Sequence, residues 1–148
     1  MKNKLVVVAD LGLLRAYRLN RNETGTTPRL EPVHEIELRD AHRKLTEILT
    51  DQAGRFASSG AAGAAAGERH NIELEHRKRL IKQLAEHITA LLRAGDFDAC
   101  YFAASREINH KILELLPHDV LGKITKNIPA DLTRLSKADL LARFTAEP

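Results

Sequence analysis

At 148 residues the chain has the length of one domain, enough to bury roughly two thirds of its unfolded surface and to stand without disulfide or metal staples. Apolar residues at 43% and charged residues at 29% exclude the disordered and fibrous classes, and 4% aromatics with no Trp argue against single-strand nucleic-acid binding on stacking platforms. A net charge of +3 and a pI near 9.2 favour an anionic partner, while the single cysteine, Cys100, excludes an internal disulfide.

The opening "MKNKLVVVADLG" sets a basic flank before an apolar run at 5–9 that is too short for a secretory core, and no stretch approaches the roughly eighteen apolar residues of a membrane span. A cytoplasmic protein with no membrane partner is the expectation. Residues 5–9, "LVVVA", form a β-branched run suited to a buried strand. Residues 13–20, "LLRAYRLN", alternate and pair back on it through the turn Asp10-Leu11-Gly12. Residues 30–38, "LEPVHEIEL", predict a third, more exposed strand marked by Val33, Ile36 and Leu38, completing an antiparallel meander. Over 41–51, Leu45, Ile48 and Leu49 have the spacing of a short helix.

Residues 54–70, "GRFASSGAAGAAAGERH", then interrupt the pattern with a bare Gly/Ala stretch. Connections between elements usually run about 2 to 8 residues, and longer ones tend to be functional. Ser58, Ser59, Gly60, Gly63 and Gly67 are accordingly read as a flexible loop that orders on binding, because each glycine costs about 1 kcal/mol in a helix interior. The surest element follows: Ile72, Leu80, Ile81, Leu84, Ile88, Leu91 and Leu92 keep a 3.6-residue stripe, with Gly95 as the stop. Residues 97–104, "FDACYFAA", predict a central strand. Ser105 is a fitting N-cap for a helix that Pro117 ends, residues 119–128 are a strand candidate, and Ser136 caps a final helix to Phe144. A meander followed by crossovers implies a single α/β domain over 1–148, a mixed sheet of about five strands with helices packed on it.

Motifs of chemistry are sparse. Seven histidines include no H-E-x-x-H and no i, i+4 pair, so no metal site is expected and the histidines read as surface groups. The Gly/Ala stretch has no Lys to complete a phosphate loop, "ASSG" is no nucleophile elbow, no cofactor pattern occurs, and Cys100 sits in an apolar strand where a thiol is inert. Asp10, at the end of the first strand, stands where two-metal nucleases keep a ligand. Its possible companions are Glu47, Asp51 and Asp98, but Asp-Leu-Gly is first of all good turn chemistry. Arg55, Arg69, Arg77, Lys78 and Lys82 flank or follow the Gly/Ala stretch and are the candidate phosphate contacts.

"VVVADLGLLRAY", "RKLTEILTDQAGRFASSG", "ELEHRKRLIKQLAEHI", "FDACYFAASREINHKILELLP" and "VLGKITKNIPADLTRLSKADLLARF" together resemble the bacterial host attachment proteins over nearly the whole chain. The most specific part is the closing "DLT-x-L-S" step into the last helix. That family looks like a bacterial relative of the middle domain of peptide-chain release factors and Pelota, which implies a ribonuclease H-like fold. In release factors the loop before the long helix carries Gly-Gly-Gln. Here residues 60–67 hold no Gln, and Gln52 and Gln83 lie outside them, so peptidyl-tRNA hydrolysis by that route is unsupported. The resemblance implies a non-catalytic module for ribosome or structured RNA. A metal-dependent nuclease or hydrolase using Asp10 is the alternative.

Overall fold

The computed structural model describes residues 3–21, 28–38 and 62–145, with Arg21 and residues 62–69 described in the backbone only. Strands β1 (Asn3–Asp10), β2 (Leu13–Arg21) and β3 (Pro28–Glu37) precede the long helix α1 (Ala62–Ala94) and β4 (Phe97–Ala104). Helices α2 (Arg106–Leu115) and α3 (His118–Leu121), strand β5 (Ile124–Ile128) and helix α4 (Lys137–Thr145) complete the described chain. The strand order is β3-β2-β1-β4-β5. β1, β2 and β3 pair antiparallel, and β4 and β5 add in parallel, so the expected mixed sheet of five strands is present.

β1 holds the centre because it is apolar on both faces. Leu5, Val7 and Ala9 point into one core, where Leu84, Ile88 and Leu92 of α1 and Ile108 and Ile112 of α2 meet them. Val6 and Val8 point the other way, into a smaller core closed by Leu132 and by Leu140 and Phe144 of α4. The period-2 alternation of a strand thus divides one run of hydrophobics between two layers of helix. On α1, Leu80, Leu84 and Ile88 are buried and Leu91 packs partly buried beside them, as the helical period requires.

Three expectations need correction. First, α1 begins at Ala62, so Gly63 and Gly67 lie in helix and not in a loop. Their cost is outweighed by alanine, the best helix former, and by the ease of extending a helix that packing downstream has already nucleated. Second, no strand runs from 119: residues 118–121 make one helical turn closed by Gly122 N–H on His118 O at 3.1 Å, and β5 starts only at Ile124. Val120 reaches the core from that turn, which explains why an apolar residue stands there. Third, Ser105 occupies the N-cap position of α2 without a capping bond from its side chain. Ser136 does cap α4, its Oγ accepting the Asp139 N–H at 3.2 Å. The helix expected over 41–51 lies outside the described residues.

Three polar contacts between distant segments were not anticipated. Asn109 of α2, 3% exposed, exchanges amide bonds with Asn127 of β5 at 2.7 and 2.9 Å. Lysines tie off two helix ends: Lys123 Nζ donates to Leu92 O of α1 at 3.2 Å and Lys126 Nζ to Phe144 O of α4 at 2.5 Å. Both meet the partial negative charge and the orphan carbonyls that a helix C-terminus presents.

Candidate functional site

The two regions singled out from the sequence lie apart, one at the end of β1 and one on α1. At the first, Leu11 and Gly12 form the two-residue connection between β1 and β2, and Asp10 Oδ1 accepts the Gly12 N–H at 2.8 Å. That is the turn role expected of it. The other carboxylate oxygen faces the Thr133 hydroxyl at 3.5 Å. Thr133, 1% exposed, gives its hydroxyl proton to Asp131 Oδ1 at 2.6 Å, and the same oxygen accepts the Thr133 N–H at 3.0 Å. Since a hydroxyl has one proton, the short contact takes it and the longer one to Asp10 is weak.

Arg15 of β2 completes this corner, donating to Thr133 O at 2.7 Å and pairing with Glu35 of β3 at 3.1 Å. Asp131, Thr133 and Arg15 were missed, although Asp-x-Thr is a recognisable turn spacing and sits inside the closing "ADLTRLS". The corner locks the segment before α4 onto the β1–β2 turn. Asp98 lies at the opposite end of the sheet, because Asn3 pairs with Phe97 and Ala9 with Ala104 in the parallel β1–β4 ladder. Glu47 and Asp51 are outside the described residues. Among the described residues no three His, Cys, Asp or Glu side chains converge on a possible metal position.

At the second region, Arg77, Lys78 and Lys82 occupy roughly 140° of the α1 circumference, at 100° per residue. Arg77 stands 3.9 Å from Glu107 of α2 and Lys78 3.7 Å from Glu75, both loose surface pairs. Lys82 has no ion pair among the described residues and lies on the rim of a groove of about 740 Å³ between α1 and α2. Ile81, Ala85, Leu115 and Pro117 give that groove an apolar floor, and Leu115 is 53% exposed. Lys78 and Lys111 share the rim with Glu86 and Glu114, the latter held by His110 at 2.8 Å. Arg93, at the far end, is paired with Asp119 at 3.0 Å, which holds the Asp119 carboxyl below its ordinary range.

Arg69 is on α1 in the residues whose backbone alone is described, and Arg55, Ser58, Ser59 and Gly60 lie outside the described residues. Cys100 is fully buried in β4, and burial alone pushes its thiol up to about 12, so it carries no thiolate chemistry at neutral pH. No described helix is long and apolar enough to cross a membrane.

A comparison with the curated proteins finds none that matches. A match that does emerge covers the sheet, α1 and the Asp10–Thr133 corner alike. Residues 5–144 fit the family described as "Protein required for attachment to host cells", and the chain belongs to that family.

Proposed function

We propose that this chain is a non-catalytic binding protein that engages structured RNA, the ribosome foremost, through the basic arc of α1 and the groove beside it. The observation that carries the reading is the placing of Arg77, Lys78 and Lys82 on one arc, with Lys111 of α2 across the groove and Lys82 left without an ion pair among the described residues. Cations held this loosely are available to phosphate, and they release counterions when they meet it. The reading takes further support from the resemblance to release-factor and Pelota middle domains, which act at the ribosome. It also suits Asp10, whose Oδ1 serves the β1–β2 turn and which belongs to no group of three metal-ligating side chains among the described residues.

Ribosome co-sedimentation across a salt series tests the proposal. Binding should weaken steeply with salt, and the double reversal Arg77→Glu/Lys78→Glu should lower it and flatten the log–log slope by about 2, one for each phosphate left without its cation. Binding that ignores salt, or is unchanged in the double variant, would refute it.

A further inference from the structure

On the α1 side of the sheet, away from both regions above, a cavity of about 390 Å³ lies between β2, β3 and the last turns of α1. Among the described residues its polar lining consists of Arg18, His34 and His87, with no Asp or Glu; Phe97, Val33 and Leu91 supply apolar walls. The Arg18 guanidinium sits over the Phe97 ring at 5.4 Å. Its Nε is shut off from solvent and has no hydrogen-bond partner. A buried donor without an acceptor is costly and uncommon, more so on a charged group. Glu31 stands opposite Arg18 in the β2–β3 ladder, yet the two form no ion pair. From facing walls, His34 and His87 bring their rings to 6.3 Å at a 43° tilt.

The backbone is shaped around this place. Ala16 pairs with His34 and Tyr17 with Pro32, so Val33 is an extra residue on β3, a bulge that kinks the strand beside the cavity. The C-terminal end of α1 would by itself repel an anion, but Leu91 O accepts the Gly95 N–H and Leu92 O accepts Lys123 Nζ, which blunts that charge.

We propose that this cavity binds a small-molecule oxyanion, a carboxylate or a phosphate ester, through Arg18 with His34 and His87 as flanking donors. The cavity falls at the lower end of small-ligand sites, which are mostly apolar with a few convergent polar groups. Carboxylate and phosphate both match the guanidinium fork; because Nε is closed to solvent, a small shift of the half-buried Arg18 side chain accompanies binding and brings that donor to the anion.

The arginine Nε–Hε resonances in ¹⁵N–¹H spectra provide the test, with the Arg18 signal assigned by its loss in Arg18→Lys. Inorganic phosphate and succinate are titrated separately, against sodium chloride at matched ionic strength. The Arg18 resonance should move saturably with one of them, identifying the headgroup, and the affinity should fall about tenfold in His34→Leu/His87→Leu as two imidazole donors are removed. Circular dichroism checks that the double variant is folded. A resonance that moves with neither anion, that moves equally with chloride, or that titrates alike in the double variant overturns the proposal. Ribosome binding plays no part in this readout, so the two readings fail separately.

Discussion

Two glycines with opposite surroundings give a sharp test of the packing. A Cβ added at Gly95 would lie 2.4 and 2.6 Å from Phe97 Cε2 and Cδ2, about 1 Å closer than ordinary carbon contact. Phe97 is nearly fully buried and carries Arg18 on its face, so the ring has little freedom to retreat. Overpacking of this kind costs about 1–3 kcal/mol, and the gain from a less flexible unfolded chain returns only about 0.4–1 kcal/mol. Gly95→Ala should therefore destabilise by about 1–2 kcal/mol. Gly122 has helical angles, φ −64° and ψ −19°, and its added Cβ would meet only backbone oxygens at 3.5 and 3.7 Å. Gly122→Ala should stabilise by about 0.4–1 kcal/mol through the unfolded state alone. Urea unfolding followed by far-UV circular dichroism measures both, and an unchanged m-value licenses the comparison. A Gly95→Ala protein as stable as the parent, or two variants shifted in the same direction, would refute the reasoning.

Other outcomes follow from the bonds described above. Asp10→Asn keeps an oxygen for the Gly12 N–H, so stability should change by no more than about 1 kcal/mol; a divalent-dependent cleavage of RNA that this variant abolished would reinstate the hydrolase reading. Asn109→Leu breaks the reciprocal amide pair and strips Asn127 of its partner, and chemical denaturation should show a loss of about 1–3 kcal/mol. Because the Cys100 thiol stays protonated to about 12 in the fold but ionises near 9.0 when unfolded, its contribution is complete below pH 9 and is lost as pH rises toward 12. The parent should lose stability over that window more steeply than Cys100→Ala, by up to about 1.4 kcal/mol per pH unit. Alkylation of the thiol at neutral pH should proceed only through unfolding.

How much of this was legible depended on whether the signal was periodic. The stripe Leu80-Leu84-Ile88 declares its period of 3.6, and the unbroken β-branched run Leu5–Ala9 a buried strand, within a few residues, and the meander, the long helix and the mixed sheet followed from them and from the alternation of β2. The turn at 118–121 was hidden because Val120 and Leu121 resemble the start of the strand that really begins at Ile124; only Arg93, far back in the chain, meets Asp119 there. The start of α1 was missed by weighing glycine locally, when the anchoring of residues 80–92 decides whether the helix extends. At the site, Asp10 was correctly given to its turn, but Thr133 reaches it from 123 residues away, and no local pattern announces such a meeting. Arg18 and Phe97 are equally distant in sequence logic, a strand charge and a strand aromatic that meet only when β4 docks beside β1.

The division of β1 between two cores also sets an order of events during synthesis. Val6 and Val8 share their core with Leu132, Leu140 and Phe144, which are made more than a hundred residues later. A chain that emerges from its N-terminus first must carry one face of its central strand uncovered until the final helix is out. β1 cannot even acquire its second neighbour before residues 97–104 appear, so early pairing is confined to the β1–β2–β3 meander, a sheet with an apolar surface on each side. Such a nascent sheet is a natural client for a holding chaperone, and truncations that remove α4 should accumulate as aggregates.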